Sequence, residues 1–225
     1  MKVVKLYSAA NLISSERDKL RQKLLSAEHP GDWLLHIPSR QLGTLLPSID
    51  LQFLLKFRLG IFPLSNASAC HCCHKDIISE TDMAGDHALC CVKSGYVRRH
   101  YILCNQVRYL LTSAGISTTS EEYLDQRKTL RVDLVAVDFT EGASEALDIS
   151  ITHSLSSRFT ESAVEVESKK TLKYANACRD LGWKFSPVVF DSFGGLGVIS
   201  LKLMNRIIST AAQHSEQPIE TSQYY

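Results

Sequence analysis

Two apolar segments rich in β-forming residues, each with one acidic residue, constrain the fold of this chain most strongly. They span 131–137 and 146–151, with the polar turn 141–144 between them, and this pattern predicts a β-hairpin. Asp133 lies in the first strand and Asp148 in the second. An acid in an apolar strand costs several kcal/mol unless it is paired or binds a cation. The hairpin therefore predicts a divalent-metal site.

The segments around the hairpin predict an α/β (α+β) fold, because helix, strand, strand, helix, strand and helix follow one another. Apolar periodicity and breakers predict helices over 1–28, 51–60, 102–115, 161–178 and 198–212, a strand over 183–190 and a loop over 117–120. We expect four parts: a helical segment (1–69), a Cys/His module with a basic helix start (70–100), a core (101–212) and a disordered tail (213–225).

Composition sets limits on function and location. The formal net charge is only +1, so any nucleic-acid binding must come from local patches. No apolar run approaches the ~18 residues of a membrane helix, and the N-terminus does not resemble a secretory signal. We expect no membrane partner, and an intracellular, reducing compartment.

Five of the seven cysteines lie between Cys70 and Cys91, with histidines among them. Cys70, Cys73, His87 and Cys91 supply three thiolates and one imidazole, the ligand set of a structural zinc site. Further candidate ligands compete with these four: His71, Cys72, His74 and Cys90. The alternative is a set of free, partly buried thiols.

A compact basic cluster follows the module. It comprises Lys93, Arg98, Arg99 and His100, and it leads into the helix that ends near Gly115. Such a cluster predicts contacts to a phosphate backbone without base readout. A solvated helix start is the equally simple alternative.

Further residues complete a candidate catalytic site around the two aspartates. Glu121 or Glu122 would add a carboxylate, and the following helix carries Lys170, Lys173 and Tyr174 at helical spacing. Carboxylates that hold Mg²⁺, with a lysine to orient water, suit phosphodiester hydrolysis. The alternative is a solvated Asp133, a paired Asp148 and a solvent-exposed helix face.

The ordered motifs resemble a known family. Cys-x2-Cys, Gly85-Asp86-His87-Ala88-Leu89-x-Cys91, Lys93-Ser94-Gly95, Arg99-His100, Arg131-x-Asp133, Asp148 and Lys170-x2-Lys173-Tyr174 follow in that order. This order is similar to the restriction-like endonuclease region of eukaryotic non-LTR retrotransposon proteins. There a Cys/His zinc motif precedes a PD-(D/E)XK-type nuclease domain at the C-terminal end of a reverse transcriptase. The resemblance covers roughly residues 50–210 of this chain.

The resemblance implies a restriction-endonuclease-like mixed sheet and a function for each site residue. Asp133 and Asp148 would bind catalytic Mg²⁺ (or Mn²⁺), Lys170 would assist the attacking water, and the Cys/His module would hold structural Zn²⁺. The partner would be duplex DNA and the location nuclear. Two positions depart from the family pattern: Ser150 stands where a lysine often lies, and Val132 where proline is usual.

Three functions follow as alternatives. The first is a metal-dependent DNA endonuclease, the second a catalytically inactive DNA-binding module of the same fold, and the third a zinc-stabilised protein-interaction domain. Residues 1–50 are too short for a polymerase, so we expect a fragment, a stand-alone relative or a host-derived protein. The sequence leaves the oligomeric state open, a dimer included.

Overall fold

The computed structural model describes residues 15–26, 30–34, 39, 45–61, 69–77, 79, 83–91, 93, 95–155 and 161–215. The rest of the expected N-terminal helix and residues 216–225 of the expected tail lie outside these ranges. The described elements are, in order, α1 (Glu16–Leu25), a 3-10 turn (Asp32–Leu34), α2 (Ser48–Leu59), α3 (Asp86–Cys90), α4 (Tyr96–Ser113), β1 (Thr118–Ser120), β2 (Leu134–Thr140), β3 (Ala143–Thr152), α5 (Ala163–Asp180), β4 (Lys184–Asp191) and α6 (Val198–Ser215).

The strands form a four-stranded mixed sheet in the order β1-β2-β3-β4. β1, β2 and β3 pair antiparallel, whereas β3 and β4 pair parallel. A parallel pair needs a long crossover connection, and α5 supplies it between β3 and β4. The expected α/β (α+β) class, a mixed sheet flanked by helices, is confirmed.

Helices cover both faces of this sheet. On one face α4 and α6 bury Leu111 and Ile207 against strand residues that include Leu134 and Leu147. On the other face α5 buries Tyr174 and Cys178 in a smaller cluster. Asp148 follows Leu147 in β3, so its side chain points to the α5 face, where the lysines of that helix lie.

The predicted hairpin is present as β2 and β3, with a shorter turn. Glu141 and Gly142 have φ values of 53° and 77°, the left-handed conformation that tight two-residue hairpin turns require. Ala143 and Ser144, predicted to lie in the turn, already belong to β3. The strand register shifts between Ala136 and Thr140.

Three expectations need correction. The predicted loop over 117–120 contains strand β1, because Thr118–Ser120 pairs with the edge of β2. The boundary between residues 100 and 101 falls inside the continuous helix α4. Gln213 to Ser215, assigned to the tail, belong to the last turn of α6.

Two acids fix the position of α5. Glu165 completes a capping box with Ser162 at the start of the helix. Glu167 is 1% exposed and accepts hydrogen bonds from the N–H groups of Ile199 (3.1 Å) and Ser200 (2.7 Å) at the start of α6. Because Lys170 lies one turn after Glu167, these bonds also hold Lys170 over the sheet.

Candidate functional site

The two hairpin aspartates lie at the same end of the β2–β3 pair. Asp133 immediately precedes Leu134, and Asp148 immediately follows Leu147, which is the cross-strand partner of Leu134. The Asp133 carboxylate accepts a hydrogen bond of 2.6 Å from the N–H of Ile149, next to Asp148. The strand pairing therefore brings two acids together that are 15 positions apart in the sequence.

Asp133 also contacts α4. The His100 ring nitrogen Nε2 lies 3.2 Å from its carboxylate and 3.1 Å from the carbonyl oxygen of Ile149. Burial alone would raise the pKa of Asp133, but the hydrogen bonds from His100 and Ile149 and the nearby charges lower it. The same bond to Asp133, with a contact to Cys104, raises the pKa of His100 to about 10. Asp133 is therefore held as a carboxylate beside an imidazolium.

Asp148 is the more buried acid, with 7% of its surface exposed. Lys170 reaches across from α5 and forms an ion pair with its carboxylate. Burial raises the pKa of Asp148, and the neighbouring negative charge of Asp133 adds to that rise, although Lys170 and Tyr174 oppose it. A divalent cation bound beside Asp148 would stabilise the ionised form of this buried acid.

Lys173 and Tyr174 form the flank of this site. The Lys173 ammonium donates a 2.8 Å hydrogen bond to the Tyr174 hydroxyl, and this bond raises the pKa of Lys173. Tyr174 is buried against Phe185, with ring centroids 5.3 Å apart. The structure thus brings Lys170, Lys173 and Tyr174 together with Asp148, and only Lys173 is exposed.

The two glutamates before the hairpin differ in position. Glu121 lines a polar cleft of about 320 Å³ beside Asp133, and its carboxylate lies 3.4 Å from the Arg131 guanidinium. Glu122 is half-buried and is not among the residues that line this cleft. Of the two candidates, the structure places Glu121 near the aspartates.

Ser150 occupies the position where the resemblance would place a lysine. It lies two residues after Asp148 on β3, so both side chains are on one face of the sheet. Its Oγ is buried and has no hydrogen-bond partner within the described part of the chain. The strand thus offers no ammonium at this position, and Lys170 brings its ammonium to Asp148 from the neighbouring helix.

The donor atoms at this site suit a hard divalent cation. Asp133 and Asp148 offer carboxylate oxygens, which Mg²⁺ and Mn²⁺ prefer over sulfur or imidazole donors. Burial is the main cause of the raised pKa of Asp148, and a bound cation would oppose that rise. The two aspartates could thus hold such an ion, and Glu121 is a further acid in the cleft beside Asp133.

A separate cluster consists of Cys70, Cys73, His87 and Cys91. Their ligand atoms all lie within 4.8 Å of one another, with Cys70 Sγ 4.0 Å from Cys91 Sγ and Cys73 Sγ 3.1 Å from His87 Nε2. A tetrahedral ion with Zn–S bonds of ~2.3 Å holds two sulfurs about 3.8 Å apart. The geometry fits, and this Cys₃His cluster could bind a metal such as zinc.

Local backbone structure forms this cluster. The Cys70 carbonyl accepts a 2.8 Å hydrogen bond from the N–H of His74, whose φ is 60°, and the Cys91 N–H donates to the His87 carbonyl at 2.7 Å. The pKa of Cys70 is lowered to about 6, mainly because the backbone N–H groups of Cys73 and Cys72 donate hydrogen bonds to its sulfur. Such a thiol ionises readily, as a metal ligand must.

The competing candidate ligands lie outside the cluster. His71, Cys72 and His74 are exposed, and Cys90 is half-buried. The expectation of four particular ligands thus agrees with the one Cys-rich group of this kind among the described residues.

The cluster is tied to the sheet through Asp86, the neighbour of His87. Asp86 is buried and accepts two hydrogen bonds of 2.5 Å from Arg17 of α1. His153, which follows β3, contacts Asp86 at 2.9 Å through Nε2 and Ser192 at 2.6 Å through Nδ1. The Cys/His module therefore packs as part of the core.

The predicted basic cluster divides into two pairs. Lys93 and Arg98 are exposed, as a phosphate contact requires. Arg99 is half-buried and donates a 2.6 Å hydrogen bond to the Leu89 carbonyl, and His100 contacts Asp133. Arg99 and His100 therefore connect α4 to the module and to the acidic site.

Sequence reasoning missed two features of the site. It treated His100 as a phosphate ligand and did not identify its contact with Asp133, and it gave Cys104 no function, although Cys104 Sγ lies 3.6 Å from His100 Nδ1. The i,i+4 spacing of His100 and Cys104 is a signal for that pair. Asp86 and His153, 67 positions apart, have no such local signal.

Comparison with known protein-family models and with curated proteins found no match for this chain. Among the helices described, none combines the length and apolar character that a membrane crossing demands.

Proposed function

We propose that this chain is a divalent-metal-dependent endonuclease that hydrolyses phosphodiester bonds in DNA and has a restriction-endonuclease-like core. The observation that carries the proposal is the meeting of Asp133, Asp148 and Lys170, which come from two strands and a helix. The order of the motifs, which resembles retroelement endonucleases, supports the same function.

Each residue of the site would have its own part in the reaction. Asp133 and Asp148 would hold the cation, and the hydrogen bonds from His100 and Ile149, which lower the pKa of Asp133, keep this acid ionised. When bound, Mg²⁺ supplies charge relief on the phosphate and a more acidic water. Lys170, whose ammonium lies at Asp148, would orient the attacking water.

In the hydrolysis a water oxygen bonds to phosphorus and releases a proton to the solvent, one bridging P–O bond breaks, and the departing oxygen takes up a proton from the solvent. Lys173 and Tyr174 stabilise the negative charge of the phosphate from the α5 side, since the ammonium and the hydroxyl are already paired there. Lys93 and Arg98 supply exposed cations for backbone phosphates.

Plasmid nicking in Mg²⁺ tests the proposal. We expect Asp133→Ala, Asp148→Ala and Lys170→Ala each to lower the nicking rate by roughly 100-fold or more. The matched control is Lys169→Ala, because Lys169 is exposed and pairs with Glu161 instead. If the two aspartate variants nick as fast as the unchanged chain, the proposal is wrong.

A second candidate is a DNA-binding module of the same fold without turnover. Ser150 favours it, because the strand lysine of related nucleases is missing there. DNA binding that survives both aspartate substitutions, without nicking in Mg²⁺ or Mn²⁺, would support this candidate over the first.

We also propose that the metal of the Cys₃His cluster is structural zinc. Metal analysis of the purified chain should give about one zinc per molecule. Cys70→Ser with Cys73→Ser should remove it, whereas Cys72→Ser, at an exposed neighbouring position, should retain it. Zinc that survives the double substitution would contradict this assignment.

A further inference from the structure

Helix α4 carries a net positive charge. Its 18 residues include Arg98, Arg99, Arg108 and His100 but no aspartate or glutamate. The whole chain, in contrast, has a formal net charge of only +1. The helix that contacts Asp133 therefore carries a net positive charge.

One side of α4 carries arginine and tyrosine side chains, which are exposed except for the half-buried Arg108. We call it the α4 face; it comprises Arg98, Tyr101, Asn105, Arg108 and Tyr109, spaced three, four, three and one positions apart. Tyr101 is 53% exposed and Tyr109 is 68% exposed. The opposite side of the helix is buried in the core, so this face is not needed for packing.

The α4 face continues into the acidic site. Tyr101, Asn105 and Arg108 line the cleft of about 320 Å³ that also contains His100 and Asp133. Arg108 donates a 2.5 Å hydrogen bond to Ser120 Oγ on the opposite wall. The one acid on that wall, Glu121, lies 3.4 Å from Arg131, which offsets its charge. A polyanion on the α4 face would therefore lead directly to Asp133.

We propose that the α4 face binds a single-stranded stretch of nucleic acid next to the phosphate that is cleaved, an inference that rests on the proposed function. The tyrosines stack on unpaired bases, and the arginines contact the backbone phosphates. Unpaired bases offer their faces to aromatic side chains, whereas the bases of a duplex stack on each other. Tyr101 and Tyr109 are eight residues or about 12 Å apart, which is enough to hold separate bases.

Binding of fluorescent oligonucleotides to the zinc-loaded full chain in EDTA tests the inference without cleavage. EDTA contact is kept brief, and zinc content is measured afterwards. We expect Tyr101→Ala and Tyr109→Ala each to weaken single-strand binding by ~10-fold, and duplex binding by less than ~2-fold. Tyr101→Phe should bind like the unchanged chain, because stacking needs the ring and not the hydroxyl.

Two further variants sharpen the test. Arg98→Gln should lower the slope of log affinity against log salt by ~0.7, the value for one lost phosphate contact to a single strand. Tyr123→Ala is the matched control, since Tyr123 is 45% exposed but lies outside α4. It should leave single-strand affinity unchanged.

The outcomes separate this inference from the proposed function. The inference is overturned if a chain with both Tyr101→Ala and Tyr109→Ala has the circular dichroism spectrum of the folded protein and still binds single strands as tightly as the unchanged chain. A protein partner would then be the better occupant of the α4 face. If the chain nicks plasmid but binds no single strand, the inference alone fails. If single strands bind through the tyrosines but no condition gives cleavage, the inference stands and the proposed function fails.

Discussion

Removing Lys170 should expose how strongly the fold depends on compensating Asp148. Asp148 and Lys170 have side chains that are 10% and 19% exposed, so their ion pair is largely shielded from water. Breaking a buried pair by deleting one partner costs about 3–5 kcal/mol when the remaining charge stays buried. In Lys170→Ala, Asp148 can limit that cost by taking up a proton.

Protonation of Asp148 sets an upper limit, which depends on pH, on the stability lost in Lys170→Ala. The ordinary pKa of an aspartate is 3.8, and burial already raises that of Asp148. Neutralising this carboxyl costs about 1.36 kcal/mol for each pH unit above its unfolded pKa, or about 1.6 kcal/mol at pH 5 and about 4.4 kcal/mol at pH 7. The unchanged chain already bears part of this cost. We therefore expect Lys170→Ala to lose about 2–3 kcal/mol at pH 7 and about 1 kcal/mol at pH 5.

The direction of this pH dependence follows from the linkage between proton binding and folding. A carboxyl whose pKa is raised on folding binds more protons in the folded state, so stability falls as the pH rises above the unfolded pKa. Lys170→Ala removes a charge that lowers the pKa of Asp148, so the free energy of unfolding falls more steeply as the pH rises. Urea unfolding followed by circular dichroism at pH 5 and pH 7 measures this free energy. Lys169→Ala, at the exposed neighbour, should change stability by less than ~0.5 kcal/mol at both pH values.

A double-mutant cycle gives the refuting result. Asp148→Asn with Lys170→Ala should lose far less than the sum of the two single losses, because the unpaired charge is gone. Additive losses, or an equal loss from Lys170→Ala at pH 5 and pH 7, would show that Lys170 does not compensate Asp148. The contact between Lys170 and Asp148 would then give no support to the proposed site.

Three further predictions test the surroundings of the site. Ser150→Lys should restore part of the plasmid nicking lost in Lys170→Ala, because position 150 shares the face of Asp148; no recovery would contradict a shared function for the two positions. His100→Gln should cost about 1 kcal/mol in urea unfolding at pH 6, and the loss should shrink as the pH approaches 10, since a pKa raised on folding stabilises most below the unfolded value. A loss that is constant with pH would refute the charged bond. Glu167→Gln should lower stability by about 1–3 kcal/mol, because the charge-assisted bonds to Ser200 and its neighbour weaken; an unchanged urea midpoint would contradict this.

Local signals predicted much of the secondary structure. The helix predicted to end at Gly60 is α2, and the φ of 70° at Gly60 is one that glycine adopts without strain. The helix predicted over 161–178 is α5, which in the structure starts with a capping box of Ser162 and Glu165. The Cys/His spacing likewise indicated the four clustered ligands, since pairs three and four positions apart lie close on a turn or a helix.

Pairing over long distances was less predictable. Thr118–Ser120 becomes a strand only because the edge of β2 is available to it. The predicted strand start at Arg131 shifts to Leu134, since the Asp133 carboxylate bonds to the Ile149 N–H beside the regular ladder. Asp148 and Lys170 are 22 positions apart, and their contact depends on how α5 crosses the sheet. Sequence periodicity predicts that α5 is a helix, but it does not predict how this helix crosses the sheet.

The hydrogen bonds of Asp86 have a consequence for folding cooperativity. Asp86, the neighbour of His87 in the Cys₃His cluster, is joined to α1 by Arg17 and to the end of the sheet by His153. If the cluster holds zinc as proposed, loss of zinc would therefore loosen the cysteine loops, α1 and the end of the sheet together. After chelation of the zinc, amide hydrogen exchange should become faster in the cysteine loops and also at Ser192, whose hydroxyl is hydrogen-bonded to His153. The Cys/His module and the sheet would then form one cooperative folding unit, so neither could be transplanted into another protein without the other.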